Sequence, residues 1–162
     1  MRRLILGIGN TIMGDDGVGI YVARMIKDRT RSQADLQFKE LGASGFKLVE
    51  EILGYDDVII VDSYASTETD AGQIRAFSPE AFEDTVHASS PHGANFSTAL
   101  ELYRSLQPDK IPKKIRIFTI DIHPADAFGE NLSGPVQDAA IKLAEMIVRE
   151  MGRQADSERA KQ

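Results

Sequence analysis

Three residues that lie far apart in this sequence, Asp16, Asp62 and His92, are of the right types to hold a divalent metal ion. Two carboxylates and one imidazole suit a borderline ion such as nickel or zinc, with coordination positions left open for water or a substrate group. A metal held in this way polarises a carbonyl or activates a water, and a carboxylate such as Asp16 or Asp62 can serve as general base. Each residue also has a plainer role. Asp16 can cap a helix beginning at Gly17, Asp62 can turn the chain after a strand, and His92 behind Pro91 can open a helix. His123, before Pro124, reads as a residue lining the site and not as a ligand, and His87 as a solvated one. Ser44, in Gly42-Ala43-Ser44-Gly45, lacks the spacing of a nucleophile elbow and reads as a helix cap.

The elements that must position these residues follow from hydrophobic periodicity. The apolar runs Arg3–Ile8 and Val58–Val61 are those of strands buried on both faces of a parallel sheet. Further strands are expected at Leu36–Leu41, at Ile115–Ile120 and, as a short edge, at Gly72–Phe77. Helices are expected at Gly17–Arg29, after Ser44 with an apolar face of Phe46, Val49 and Leu53, and at Asn95–Leu106, with a helical turn at Pro79–Asp84. The longest helix spans Ser133–Met151, with Pro135 in its first turn and Gly152 at its end. The pattern predicts one α/β domain over residues 1–152, followed by a flexible tail at 153–162. Its architecture is a three-layer sandwich, a mostly parallel twisted sheet of about five strands flanked by helices.

In such sheets ligands gather beyond the carboxyl ends of the strands. The first strand delivers the loop Gly9–Gly17 to that edge, the third delivers Asp62, and the fifth delivers Asp121 and His123. The segment Ser90-Pro91-His92-Gly93 leads into the Asn95 helix.

Composition removes several function classes. A net charge of −6 opposes nucleic-acid binding, which needs a basic surface to displace counterions. The absence of cysteine excludes disulfides, thiolate metal sites and a cysteine nucleophile, and it fits a reducing, cytoplasmic setting. The apolar run Leu4–Ile8 is too short for membrane insertion. A dinucleotide-binding oxidoreductase domain is the main rival reading, because Gly7-Ile8-Gly9 follows a buried strand. Its third glycine should fall where Ile12 stands, and Asp15-Asp16 would oppose a pyrophosphate.

The run Gly7-Ile8-Gly9-Asn10-Thr11-Ile12-Met13-Gly14-Asp15-Asp16-Gly17-Val18-Gly19 closely resembles the opening of the hydrogenase maturation endopeptidases. Ile59-Ile60-Val61-Asp62-Ser63 is similar to their second acidic strand end, and Ser90-Pro91-His92 to their histidine segment. The resemblance implies an endopeptidase that recognises nickel already inserted in its substrate, through Asp16, Asp62 and His92. The implied partner is a [NiFe] hydrogenase large-subunit precursor, cut after a basic residue to release a C-terminal extension. Where the family often has an acidic-Gly-Gly-Thr stretch, this chain has Glu40-Leu41-Gly42-Ala43-Ser44-Gly45. Gly42 and Gly45, with His123, are the expected substrate-loop residues. A non-catalytic nickel chaperone or sensor would share the same ligands and is the third reading.

Overall fold

The computed structural model describes residues 1–30, 34–42, 45–86, 96–124 and 128–159. The elements run β1 (Arg3–Ile8), α1 (Val18–Arg29), β2 (Leu36–Leu41), α2 (Phe46–Ile52), β3 (Asp57–Ala65), β4 (Ile74–Phe77), α3 (Pro79–Val86), α4 (Phe96–Leu106), β5 (Lys114–Ile122) and α5 (Gly134–Arg159). A 3-10 turn at Gly14–Gly17 precedes α1. The five strands form one sheet in the order β2-β1-β3-β5-β4. All pairings are parallel except that of β4 with β5.

Side chains alternate across this sheet and build a separate core on each face. Ile5, Ile59, Val61 and Ile120 pack with Val18, Val22 and Ile26 of α1 and with Val136, Ala140, Leu143 and Ile147 of α5. Leu4, Leu6, Ile8, Val58 and Ile60 pack with Leu48, Val49 and Ile52 of α2 and with Phe96, Ala99 and Leu100 of α4. The expected three-layer sandwich is therefore present. Among the described residues, no helix is long and apolar enough to cross a membrane.

Helix α1 lies unusually close to the sheet because Gly19 has no side chain. A Cβ there would stand 2.2 Å from the Val61 carbonyl oxygen and 2.4 Å from that of Ile8. The glycine spacing at the start of the chain therefore has a packing reason, apart from any role in chemistry.

Four expectations change. β3 has nine residues, not four, because its partner β5 carries the ladder on through Asp62↔Thr119 to Ala65↔Ile122. Asp62 consequently lies within the strand and does not turn the chain after it. The buried face of α2 is Leu48, Val49 and Ile52, while Phe46 is 46% exposed. The edge strand begins at Ile74, since Gly72 has a φ of 93° and its N–H is turned back to the Asp121 carbonyl oxygen. Finally, α5 passes through Gly152 and continues to Arg159. Gly152 keeps a negative φ, so it makes no left-handed cap, and Arg153 and Gln154 are good helix formers that outweigh one interior glycine.

Candidate active site

The strand order reverses between β1 and β3: the chain leaves β1 toward β2 on one side and returns to β3 on the other. The crevice at the carboxyl ends of such a pair is where open α/β sheets bind their ligands. Asp16 and Asp62 both arrive there, one from the loop after β1 and the other from β3 itself.

The loop that carries Asp16 is held from within. Gly9 has a φ of 142°, and a Cβ on it would lie 2.0 Å from the Asp16 carbonyl oxygen, so no other residue fits. The Asn10 side-chain oxygen accepts the Ile12 N–H at 3.2 Å, and its carbonyl accepts the Met13 N–H at 3.1 Å. This is an Asx turn, which explains an asparagine at this position. The Asn10 N–H donates to Asp16 Oδ2 at 3.0 Å, and the Ser63 hydroxyl donates to Asp16 Oδ1 at 3.1 Å. Asp16 is thus not the cap of α1. Gly17 occupies the cap position, with no side-chain bond to the helix amides.

The adjacent Asp15 does a different job. Its Oδ1 accepts the Ser133 N–H at 2.6 Å and its Oδ2 the Ser133 hydroxyl at 2.8 Å, which ties the loop to the start of α5. Gly14 N–H to Gly129 O (2.6 Å) and Gly129 N–H to Ile12 O (3.0 Å) form a short parallel bridge beside it. The Tyr21 hydroxyl adds a bond to the Glu130 carbonyl at 2.6 Å.

Asp62 is fully buried, and its Oδ1 accepts the N–H of Ser63 at 2.8 Å. By strand alternation it shares the face of Val58 and Ile60, covered by α2 and α4, whereas Ser63 shares the α1 face of Ile59 and Val61. The two acids therefore approach the sheet edge from opposite faces, with Ser63 bonded to both.

A cleft of about 530 Å³ opens at this edge, lined by Gly9, Asn10, Met13, Asp16, Gly42 and Pro124 among others. Gly42 is thus at the cleft wall. Gly45 is buried at the start of α2 with a φ of 60°. His123 is exposed between the cleft residues Ile122 and Pro124, with Nε2 3.2 Å from the Thr69 carbonyl oxygen. Asp121, also brought toward this edge, is engaged elsewhere. Arg75 grips it through Nε (2.9 Å) and Nη2 (2.8 Å), and the Thr69 hydroxyl donates to it as well. The hydrogen bond to Asp121 holds the Arg75 guanidinium above its ordinary pKa. Glu40, at the end of β2, receives Arg24 Nε and Nη2 of α1 at 2.8 and 2.7 Å, and that hydrogen bonding pulls its carboxyl below the usual range.

His92 and Ser44 lie outside the described residues, and so do their expected roles as ligand and helix cap. Among the described residues, no three His, Cys, Asp or Glu side chains are grouped as metal ligands. The chemistry of Asp16 nevertheless fits a cation: among the described residues each of its oxygens accepts one hydrogen bond, which leaves a second lone pair on each. Sequence reasoning missed Ser63, Asn10 and Arg75 as residues that hold the acids of this edge. The Asx-turn preference of asparagine was the one signal that could have found any of them.

A family model described as hydrogenase maturation protease matches residues 20–150. That stretch begins after Gly19, so the match does not depend on the glycine-rich opening or on Asp16. The hydrogenase 2 maturation protease of Escherichia coli is 24% identical over 121 residues, covering 72% of this chain and 71% of that protein. The hydrogenase expression/formation protein HoxM of Azotobacter vinelandii is 25% identical over 166 residues, covering 96% and 79%. Among solved structures, the [NiFe] hydrogenase maturation protease HybD of Thermococcus kodakarensis aligns with a TM-score of 0.69 at 25% identity, over 92% of this chain and 98% of that one. The hydrogenase maturating endopeptidase HybD of Escherichia coli shares the fold with a TM-score of 0.73 at 20% identity, over 95% and 94%. The family model spans most of the chain and the fold agrees with it, so the chain belongs to the hydrogenase maturation protease family as an endopeptidase.

Proposed function

We propose that this endopeptidase removes the C-terminal extension of a nickel-loaded [NiFe] hydrogenase large-subunit precursor, in the cytoplasm. The nickel belongs to the substrate and docks on Asp16, Asp62 and His92, which lets the enzyme act only on a precursor whose metal centre is assembled. The observation that carries this reading is the arrival of Asp16 and Asp62 at the crevice where the strand order reverses, beside a cleft of about 530 Å³. That volume falls within the range of pockets that hold a small ligand.

In the hydrolysis, water adds its oxygen to the scissile carbonyl carbon and the departing amine takes a proton. Asp16 lines the cleft while Asp62 is fully buried, which favours Asp16 as the base that receives the proton of the attacking water. A carboxylate lone pair given to a cation is less available to a proton, so the two oxygens of Asp16 must divide these tasks.

The test is intact-mass spectrometry of nickel-loaded and nickel-free precursor after incubation with the enzyme. Loss of one C-terminal peptide from the nickel-loaded sample alone is expected. Equal loss from both refutes nickel as the trigger, and loss from neither refutes this substrate. Asp62→Asn and His92→Ala should each abolish the cleavage with an unchanged circular dichroism spectrum.

A further inference from the structure

Ser63 contacts both acids through different atoms. Its main-chain N–H donates to Asp62 Oδ1 and its hydroxyl to Asp16 Oδ1, and the residue is only 5% exposed. We infer that Ser63 is a positioning residue that holds the Asp16 carboxylate in a fixed relation to Asp62, so that one divalent ion meets both acids together. The inference rests on the reading of these acids as the nickel-docking pair.

The reason lies in how the acids are delivered. Alternation along β3 sends Asp62 toward α2 and α4 and Ser63 toward α1. Asp16 comes from the turn before α1, on the Ser63 side. A ligand pair drawn from two sheet faces and from two distant chain segments has no covalent means of keeping its spacing. The Ser63 hydroxyl provides a side-chain link from β3 directly to the Asp16 carboxylate.

The Asn10 N–H already holds the other oxygen of Asp16. With both oxygens bonded, the carboxylate plane is fixed; with one bond it can turn about its broad terminal torsion. Orienting a ligand before the ion arrives lowers the ordering cost of binding, and outer partners of this kind tune metal affinity. A hydroxyl suits the position because it adds no positive charge. A lysine or arginine in its place would orient the carboxylate but also repel the cation.

The experiment compares Ser63→Ala with Ser63→Thr, which keeps the donor. Cadmium affinity of the protein alone is measured by calorimetry, together with kcat and KM on nickel-loaded precursor and a circular dichroism check of folding. Ser63→Ala is expected to weaken cadmium binding by roughly 10-fold or more and to raise KM in parallel. Ser63→Thr should stay close to the wild type. A merely structural role would lower the active fraction and leave KM unmoved. The inference is overturned if Ser63→Ala binds cadmium as the wild type does, if folded Ser63→Thr loses as much as Ser63→Ala, or if the wild type binds no cadmium. A wild type that binds cadmium but leaves the precursor uncut refutes the proposed substrate, and the affinity comparison still decides the role of Ser63.

Discussion

Replacing Gly19 by alanine places a methyl group against two main-chain oxygens, 2.2 Å from Val61 O and 2.4 Å from Ile8 O. Carbon–oxygen contacts of this kind ordinarily begin near ~3.3 Å, so the methyl is about 1 Å too close to both. Neither oxygen sits on a side chain that can swing away. Helix α1 must therefore withdraw by about 1 Å, and Val18, Val22 and Ile26, now completely buried, lift with it. A gap of about 0.5–1 Å forfeits roughly a quarter to a half of the dispersion well, and each such side chain contributes about 1.5–3 kcal/mol when fully buried. The expected loss is about 2–3 kcal/mol, at the upper end of overpacking costs. In a chain of this size that lowers Tm by roughly 5–10 °C. Urea unfolding followed by circular dichroism should show a lower midpoint at an unchanged m-value. Cleavage should fall too, because the turn that carries Asp16 leads directly into α1. An unchanged midpoint would refute the claim that α1 rests directly on the main chain of β1 and β3.

Gly152→Ala should have the opposite sign, since nothing lies within 4 Å of the new methyl and the position is helical. A gain of about 0.5–1 kcal/mol in urea unfolding is expected, and a loss would show that the helix stops there after all. Arg75→Met strips the completely buried Asp121 of its ion pair and leaves it the Thr69 hydroxyl. That should cost about 3 kcal/mol, the low end for a broken buried pair because Arg75 is itself partly solvated; a midpoint within ~0.5 kcal/mol of wild type contradicts it. Glu51 receives hydrogen bonds from Lys39 and then Lys47, which lower its carboxyl pKa below the ordinary value. A depressed folded pKa stabilises above the unfolded value of about 4.3 and loses that contribution as pH falls through the folded one. Glu51→Gln should therefore flatten the decline of the urea midpoint below about pH 4.3, and an identical decline in both proteins would exclude the pair as a cause.

What could be read from the sequence was set by whether burial shows in residue type. RLILGI and VIIV are apolar on both faces, so β1 and the start of β3 were legible, as was the three-layer class. The continuation of β3 past Val61 and of β5 past Ile120 was not, because it begins with Asp62 and Ser63 in one and Asp121 in the other, polar residues that are buried in the sheet. Hydropathy reads such a stretch as loop. Asp16 and Asp62 are singled out by asking which acids follow strands, together with the family resemblance. Asp121 passed the same filter, and its contacts with Arg75, 46 residues away, and with Thr69 set it apart. The Ser63–Asp16 bond spans 47 residues and has no trace in local pattern. Strand order, which makes the crevice between β1 and β3 a switch point, is a property of the closed sheet and of no segment alone.

The bond between Asp15 and Ser133 joins positions 118 residues apart. Synthesis of the intervening chain, at about 5–20 residues per second, takes roughly 6–24 s. Throughout that interval the loop bearing Asp16 has been made but has neither its anchor at the start of α5 nor the bridge to Gly129. It must wait as an unclosed segment of an unfinished chain, because long-range contacts of this kind form only after their loop entropy can be met. The loop that carries Asp16 is therefore completed last, when the C-terminal helix docks. A truncated or stalled product ending before residue 133 would carry both acids and still lack the built site.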